Sequence, residues 1–446
     1  MKEKKRTIKQ STASFRVIIA GFFSIILLGA LLLSLPVSSA TGEFTPFSDA
    51  IFTSVSATCV TGLVVRDTAT YWSVFGQLVI LILIQIGGMG VITIGLLLLR
   101  AMGRKIGLRQ REMMKGSISA GSLGGIMHLA GFIIKGSLLV ELTGALLLSP
   151  RFISEFGFFR GVYYSIFHSV SAFCNAGFDL MGIKTSFSSL TSYAGSVYVN
   201  VIIMLLIIIG GIGFLTWNDV KTNRHHISKY SLQSKIILFT SLTLIIVPAV
   251  LFFVFEFSDL PMKERILSSL FQSVTTRTAG FNTADLTAIS QPGIFIMIIL
   301  MLVGGSPGST AGGMKTTTIA VLFLAAVAVF GRKKDVTGFK RRIPEDAIRS
   351  AGAILFMYIA LFIGAALIIS RVESLPLLSC LFETGSAIGT VGLTLGITPS
   401  LSLASRLLLM ILMFFGRVGG LTLIYAALPS EGASGSGLPL ENINVG

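Results

Sequence analysis

Charge is the scarcest commodity in this chain. Asp, Glu, Lys and Arg make up 12% of the 446 residues, where a soluble domain carries about a quarter. An ordinary water-soluble fold is therefore excluded for most of the length. Cysteine is nearly absent as well: Cys59, Cys174 and Cys380 are solitary and far apart, so neither a disulfide framework nor a zinc spacing is present. The four histidines, His128, His168, His225 and His226, have no ligand spacing. No paired carboxylates and no nucleophile–base constellation occur, so no catalysis is expected. Acidic residues are outnumbered, 20 against 35 Lys and Arg, for a net charge of +15. A uniform basic surface would suit nucleic acid, but 23 of the 35 basic residues fall in four segments: the N-terminus through Arg16, Arg100–Lys115, Asn218–Lys235 and Gly331–Arg349. That distribution excludes a nucleic-acid footprint.

Between the basic segments the chain is apolar, with a mean hydropathy of +0.85. Uncharged runs include Val17–Pro36, Val74–Leu99, Val197–Trp217, Ile236–Phe255, Ala351–Ser370 and Leu407–Gly416. Several approach the roughly 20 residues that carry a helix across ~30 Å of hydrocarbon. Basic loops stay on the cytoplasmic side, so the four segments predict two crossings per interval, eight in all, with both termini inside. The N-terminal basic stretch is followed by about 20 apolar residues without a small-residue cleavage site, and it reads as the first membrane helix rather than a removed signal.

Each interval contains one copy of a short phrase. The copies are Phe52-Thr-Ser-Val-Ser-Ala-Thr-Cys-Val-Thr-Gly62-Leu63, Phe167-His-Ser-Val-Ser-Ala-Phe-Cys-Asn-Ala-Gly177-Phe178, Phe271-Gln-Ser-Val-Thr-Thr-Arg-Thr-Ala-Gly280-Phe281 and Phe382-Glu-Thr-Gly-Ser-Ala-Ile-Gly-Thr-Val-Gly392-Leu393. Apolar segments of about a dozen residues precede the glycines, at 46–57, 160–172, 264–275 and 375–387. They are too short to span and suit re-entrant pore helices. The non-helical backbone that follows at membrane depth is tolerated only where it is buried in protein or lines a wet cavity. Carbonyls aimed at an axis can replace the hydration shell of a cation, and the half-helix C-termini favour positive charge. These features predict an all-α integral membrane fold. Four M1–pore helix–M2 repeats, with eight transmembrane helices and four re-entrant pore loops, surround one pseudo-fourfold pore. The predicted repeats are 1–115, 116–235, 236–349 and 350–428, followed by a flexible tail at 429–446.

A second glycine set lies in the inner helices: Ile86-Gly-Gly-Met-Gly90, Ile209-Gly-Gly-Ile-Gly213, Val303-Gly-Gly-Ser-Pro-Gly308 and Phe415-Gly-Arg-Val-Gly-Gly420. Close helix packing accounts for most of it. The third copy differs, because the apolar stretch Gly293–Phe330 has 38 residues and Pro307 at its centre. The third inner helix alone is expected to break, giving an intramembrane loop at 304–318 that gates the path. Gly308-x4-Gly313-Met-Lys315-Thr316 in this loop imitates a phosphate-binding loop, but Met314 interrupts it and no strand precedes it.

The four phrases, the broken third inner helix and the eight crossings together resemble the Ktr/Trk/HKT superfamily of potassium transporters, and most closely the membrane subunit of bacterial Ktr systems. The likeness covers about Phe15 to Leu428. It implies potassium uptake across the bacterial cell membrane, with the ion held by carbonyls of Cys59, Val60, Thr61 and Gly62; Cys174, Asn175, Ala176 and Gly177; Arg277, Thr278, Ala279 and Gly280; and Gly389, Thr390, Val391 and Gly392. In this superfamily a serine at the first filter glycine goes with sodium, so Gly62 points to potassium. The gate would comprise Gly304, Gly305, Ser306, Gly308, Ser309, Thr310, Gly312, Gly313 and Lys315, with Arg417 projecting toward it. The resemblance also implies a homodimer in the lipid bilayer, docked on a cytosolic nucleotide-binding ring of the KtrA/KtrC type. ATP or ADP would bind the ring, this chain would carry no cofactor, and sodium stimulation is left open. A sodium-coupled or sodium-conducting secondary cation transporter is the alternative.

Several polar residues carry their own expectations. Glu141 is either a functional intramembrane acid or a structural partner of Lys135 or a pore-helix hydroxyl. Arg277 faces away from the path and braces its pore helix. Asp67 and Asp179 either concentrate cations at the outer mouth or are ordinary loop residues. Asn175 and Asn282 are expected to hydrogen-bond the filter backbone from behind.

Overall fold

In a computed structural model, residues 2–90 and 126–420 are described, with side chains from residues 16–90 and 128–420. The basic segment Arg100–Lys115 and the tail 429–446 lie outside the described residues.

The elements repeat in one order: a long outer helix, a short pore helix, an extended segment and an inner helix. The outer helices are α1 (Lys2–Ser34), α4 (Ile126–Phe156), α8 (Leu232–Phe255) and α12 (Glu345–Glu373). Within them, Arg16–Ser34, His128–Phe156, Leu232–Phe255 and Glu345–Glu373 are each long and apolar enough to cross a bilayer. The pore helices are α2 (Phe47–Thr58), α5 (Phe158–Phe173), α9 (Met262–Thr275) and α13 (Leu377–Gly389). Three begin after a proline, Pro46, Pro261 or Pro376, a residue that cannot extend a helix upstream by donating a backbone bond.

The inner helices are α3 (Val74–Met89), α6 (Val197–Ile212), α10 (Gln291–Leu302) and α14 (Leu403–Val418), with α7 (Phe214–Asn223) continuing α6 and α11 (Thr316–Phe330) continuing α10. Each of the four starts on a serine, Ser73, Ser196, Ser290 or Ser402, whose side chain accepts an N–H of the first turn. Such a cap is worth roughly 0.5–2 kcal/mol. Between α11 and α12 a hairpin pairs β1 (Thr337–Gly338) with β2 (Arg341–Arg342).

Packing is cyclic. The inner helix of each repeat lies on the pore helix of the next: α3 on α5, α6 on α9, α10 on α13, and α14 back on α2. The leading phenylalanine of every phrase, Phe52, Phe167, Phe271 and Phe382, is fully buried. Four equivalent units thus close around one axis, as the fourfold phrase predicted.

One expectation is corrected here. The third inner helix is not alone in being broken. The second bends by 93° between α6 and α7, at Gly213, whose φ is +98°. The first and fourth end at Gly90 and Gly419, with φ of +86° and +89°. Side chains rarely adopt this region, so the second glycine set marks helix ends as well as close packing. The third break, from Val303 to Lys315, is longer than the second, which is Gly213 alone.

Candidate functional site

The phrase glycines meet. A Cβ on Gly62 would lie 3.1 Å from the Cα of Gly177, one on Gly177 2.9 Å from that of Gly280, one on Gly280 3.3 Å from that of Gly392, and one on Gly392 2.9 Å from that of Gly62. The chain of neighbours closes in sequence order and leaves no room for a side chain. All four glycines have positive φ, from +69° to +95°. Two residues earlier, Val60, Asn175, Thr278 and Thr390 also have positive φ, 57°, 58°, 65° and 51°. For non-glycine residues this conformation costs of order 1–3 kcal/mol each and persists only where the surroundings impose it. The shortened third phrase therefore keeps the same register as the others.

The hydroxyls of the phrase impose it. The second Ser/Thr of each copy accepts a backbone N–H from the residue before the glycine: Thr61 to Ser56 O (2.8 Å), Ala176 to Ser171 O (2.8 Å), Ala279 to Thr275 O (3.0 Å) and Val391 to Ser386 O (2.8 Å). Their side chains then reach further. Gly62 and Gly392 donate N–H to Ser56 Oγ and Ser386 Oγ at 3.1 and 3.0 Å, whereas Ser171 and Thr275 donate to the carbonyls of Phe178 and Phe281 at 2.6 and 2.5 Å. The first Ser/Thr ties pore helix to outer helix: Ser54 donates to Ile26 O, Ser169 to Glu141 O and Ser273 to Ile245 O, each 28 residues upstream. Thr384 departs from this and bonds Cys380 O in its own helix. Sequence reasoning missed both roles, because the acceptors are main-chain carbonyls, which every residue carries.

Side chains at the ring point elsewhere. Arg277 is buried and donates to the carbonyl and hydroxyl of Ser241 on α8, at 3.4 and 3.1 Å. Asn175 contacts Thr278 Oγ1 and accepts from Thr310 Oγ1, and Asn282 Oδ1 accepts the Ala284 N–H in its own loop. The expectation that these asparagines hydrogen-bond the filter backbone is corrected, because the Asn175 amide meets threonine hydroxyls and the Asn282 carbonyl a later turn. The hydroxyls of Thr58, Thr61 and Thr390 are buried without a hydrogen-bond partner among the described residues.

Beneath the ring lies the segment 303–315. It turns back on itself through Gly304 N–H to Met314 O (2.7 Å), and Lys315 Nζ closes it onto Ala311 O (2.8 Å) and Gly312 O (3.4 Å). It is held by every other repeat. Ser306 and Thr310 donate N–H to Gly211 O and Gly210 O of repeat 2, Phe214 N–H donates to Gly308 O, and Gly313 donates to Gly416 O of repeat 4. Arg417 links the loop to repeat 1, donating to Thr310 O and Gly87 O, and to Gly88 O at 3.1 Å. Ser306, Thr310 and Ala311 are buried. The structure thus brings Lys315 and Arg417 to one loop but gives Lys315 an internal role, as a cap.

On the pore-helix-start side of the ring, a cavity of about 650 Å³ is lined by Asp49, Arg66, Asp67 and Arg406 among others. Asp49 accepts from Arg66 Nε at 2.8 Å and Arg406 Nη1 at 2.9 Å, a clamp between repeats 1 and 4 that the sequence did not announce. Asp67 accepts from Ala69, Thr70 and the Phe187 N–H, and Asp179 from Met181 N–H; both carboxylates organise loop backbone. Burial holds Asp179 above the usual carboxylate range, at about 6. Glu141 is buried and accepts from Gln85 Nε2 at 2.9 and 3.0 Å. Of the two readings, the pairing with Lys135 or a pore-helix hydroxyl is corrected: the side chain accepts from an amide on the inner helix of repeat 1 and from the Cys174 thiol at 3.9 Å, and the pore-helix hydroxyl of Ser169 donates to the Glu141 carbonyl instead.

Comparison with known proteins agrees over nearly the full length. A family model described as TrkH, cation transport protein, matches residues 1–435. The chain is 39% identical to the potassium/sodium uptake protein NtpJ of Enterococcus hirae, covering 95% of each. It is 38% identical to the Ktr system potassium uptake protein B of Bacillus subtilis, covering 93% of each, and 34% identical to the Ktr system potassium uptake protein D of that organism, covering 98% of each. In structure it is similar to the potassium transporter TrkH from Vibrio parahaemolyticus, with a TM-score of 0.70 at 19% identity over 92% of this chain and 85% of that one.

Proposed function

The chain belongs to the TrkH family of cation transport proteins, and from that premise we propose that it carries potassium into the bacterial cell as the ion-translocating subunit of a Ktr-type system. It is a membrane transporter, not an enzyme: the relatives are named as uptake proteins. The observation that carries the proposal is the closed ring of four glycines, each flanked by a strained residue two positions earlier. Carbonyls of residues 59–62, 174–177, 277–280 and 389–392 line the ion path, exchanging hydration for fixed dipoles. The C-termini of four pore helices converge on the same point and add negative potential.

The loop 304–318 and Arg417 restrict the path below the ring, and opening requires the loop to leave Gly210, Gly211 and Gly416. The basic segments face the cytoplasm, which puts both termini inside and the Asp49 cavity outside. From the resemblance we carry over a homodimer and a cytosolic regulatory ring that binds ATP or ADP, while this chain holds no nucleotide. The name "Ktr system" borne by relatives supports a partner subunit. A second reading, in which sodium is also carried or coupled, is favoured by the potassium/sodium name of the Enterococcus hirae relative.

The test is uptake of radioactive rubidium by a host lacking its own potassium uptake. Expression restores growth at low potassium and rubidium uptake in competition with potassium. Uptake that sodium displaces and potassium does not would favour the second reading and refute the first.

A further inference from the structure

At the end of the bundle opposite the pore-helix starts, the hairpin β1–β2 does not fold onto the loop layer. Gly338 packs between α11 and the start of α8, where a Cβ would lie 3.2 Å from Leu324 Cδ1 and 3.8 Å from Leu232 Cδ1. The register Thr337↔Arg342 and Gly338↔Arg341 leaves a two-residue turn of Phe339 and Lys340, both at positive φ, 48° and 60°. Glycine or asparagine would take that turn without strain, so this sequence accepts strain to present a phenylalanine and a lysine at the tip. The Phe339 ring meets Phe239 edge-on, 6.3 Å between centroids. Phe239 lies seven residues into α8, about 10 Å along its axis, and the whole helix, 24 residues, spans about 36 Å against ~30 Å of hydrocarbon. The tip therefore reaches the level where hydrocarbon begins. Phe323, Phe330 and Phe339 are exposed beside it.

Cations surround the aromatic tip. Arg332, Lys333, Lys334, Lys340 and Arg341 are exposed, and none forms an ion pair among the described residues. Of the carboxylates next to it in the chain, Asp335 pairs with Arg342 at 2.9 Å and Glu345 with Arg349 at 3.3 Å, and Asp346 has no ion pair among the described residues. Clustered Lys and Arg immediately outside a spanning helix attract anionic lipid, and lysine can extend its ammonium from an apolar level to the head groups.

We infer that the β1–β2 hairpin and the end of α11 form a binding site for an anionic phospholipid, with Phe339 and Phe330 against the acyl chains and Lys333, Lys340 and Arg341 on the head group. A membrane fits better than a soluble acidic partner, because the tip is aromatic and meets Phe239, itself exposed within the apolar length of α8. The inference goes beyond the transport reading and does not depend on which ion is carried.

The test uses the purified full chain in neutral detergent micelles doped with spin-labelled phosphatidylglycerol or, separately, spin-labelled phosphatidylcholine, and reads the motionally restricted fraction. Wild type should prefer phosphatidylglycerol. The variant Lys333→Gln/Lys340→Gln/Arg341→Gln should lower that preference by at least about tenfold, since three cations at about fivefold each contribute roughly a hundredfold before salt screening. The exchange Lys340→Arg/Arg341→Lys should keep it. Because the readout is lipid, a non-transporting protein would leave the result intact. Equal preference in wild type and the triple Gln variant overturns the inference. So does an acidic soluble protein that binds wild type in phosphatidylcholine alone and is not displaced by phosphatidylglycerol. An unchanged melting temperature in the variant shows that loss of preference is not loss of fold.

Discussion

Replacing Gly62 by serine tests the ring where a side chain would press on the adjacent quarter, at the Ala176 carbonyl. Two costs arise. The first is conformational: φ is +93°, where a side chain costs of order 1–3 kcal/mol. The second is steric: the new Cβ would lie 2.5 Å from the Ala176 carbonyl oxygen, against 3.4 Å for ordinary contact, a shortfall of 0.9 Å. The oxygen must move by about that much, and it belongs to the adjacent quarter of the ring. Gly396 separates the two costs. Its φ is +90° and nothing lies within 4 Å of its Cβ position, so Gly396→Ser carries only the conformational penalty. Displacing one carbonyl from a dehydrated cation should forfeit something like a hydrogen bond to a charged group, about 1.5–3 kcal/mol, or roughly ten- to 150-fold in potassium-over-sodium preference. Rubidium and sodium uptake are measured side by side in a host lacking potassium uptake. Gly62→Ser should lower the ratio by at least about tenfold, while Gly396→Ser should leave it near wild type. Equal ratios for the two variants would refute the reasoning, because the ring contact would then contribute nothing beyond strain.

Two further outcomes follow from the same geometry. Arg417→Gln removes the guanidinium donors to Thr310, Gly87 and Gly88. Flux through liposomes without a regulatory partner should rise about tenfold if one charged hydrogen bond is lost from the closed loop; unchanged flux would confine Arg417 to structure. Ser169→Ala removes the bond to the Glu141 carbonyl and should lower unfolding free energy by about 1 kcal/mol, with Ser54→Ala and Ser273→Ala behaving alike. Thr384→Val, whose bond stays within its own helix, should cost less in the same denaturation series.

The architecture was legible because its parts are written locally. Each phrase packs a buried phenylalanine, two hydroxyls and a glycine into about a dozen residues, and the pore helices predicted at 46–57, 160–172, 264–275 and 375–387 run from Phe47 to Thr58, Phe158 to Phe173, Met262 to Thr275 and Leu377 to Gly389. The break in the third inner helix was legible from Pro307 and an apolar stretch too long for one span. What escaped depends on how helices are rotated against each other. Glu141 has Lys135 nearby in sequence, yet its side chain meets Gln85 from another repeat. Asp49 is bracketed by Arg66 and by Arg406, which is 357 positions away. The bend at Gly213 escaped for a different reason: a glycine within a long apolar run has the same composition whether it packs a neighbour or ends a helix, and only the backbone decides.

The most direct measurement is anomalous scattering from rubidium in crystals of the protein, repeated in lithium. The account predicts a peak on the axis among Gly62, Gly177, Gly280 and Gly392 in rubidium and none there in lithium. A rubidium peak elsewhere in the membrane region, with the glycine ring empty, would contradict it.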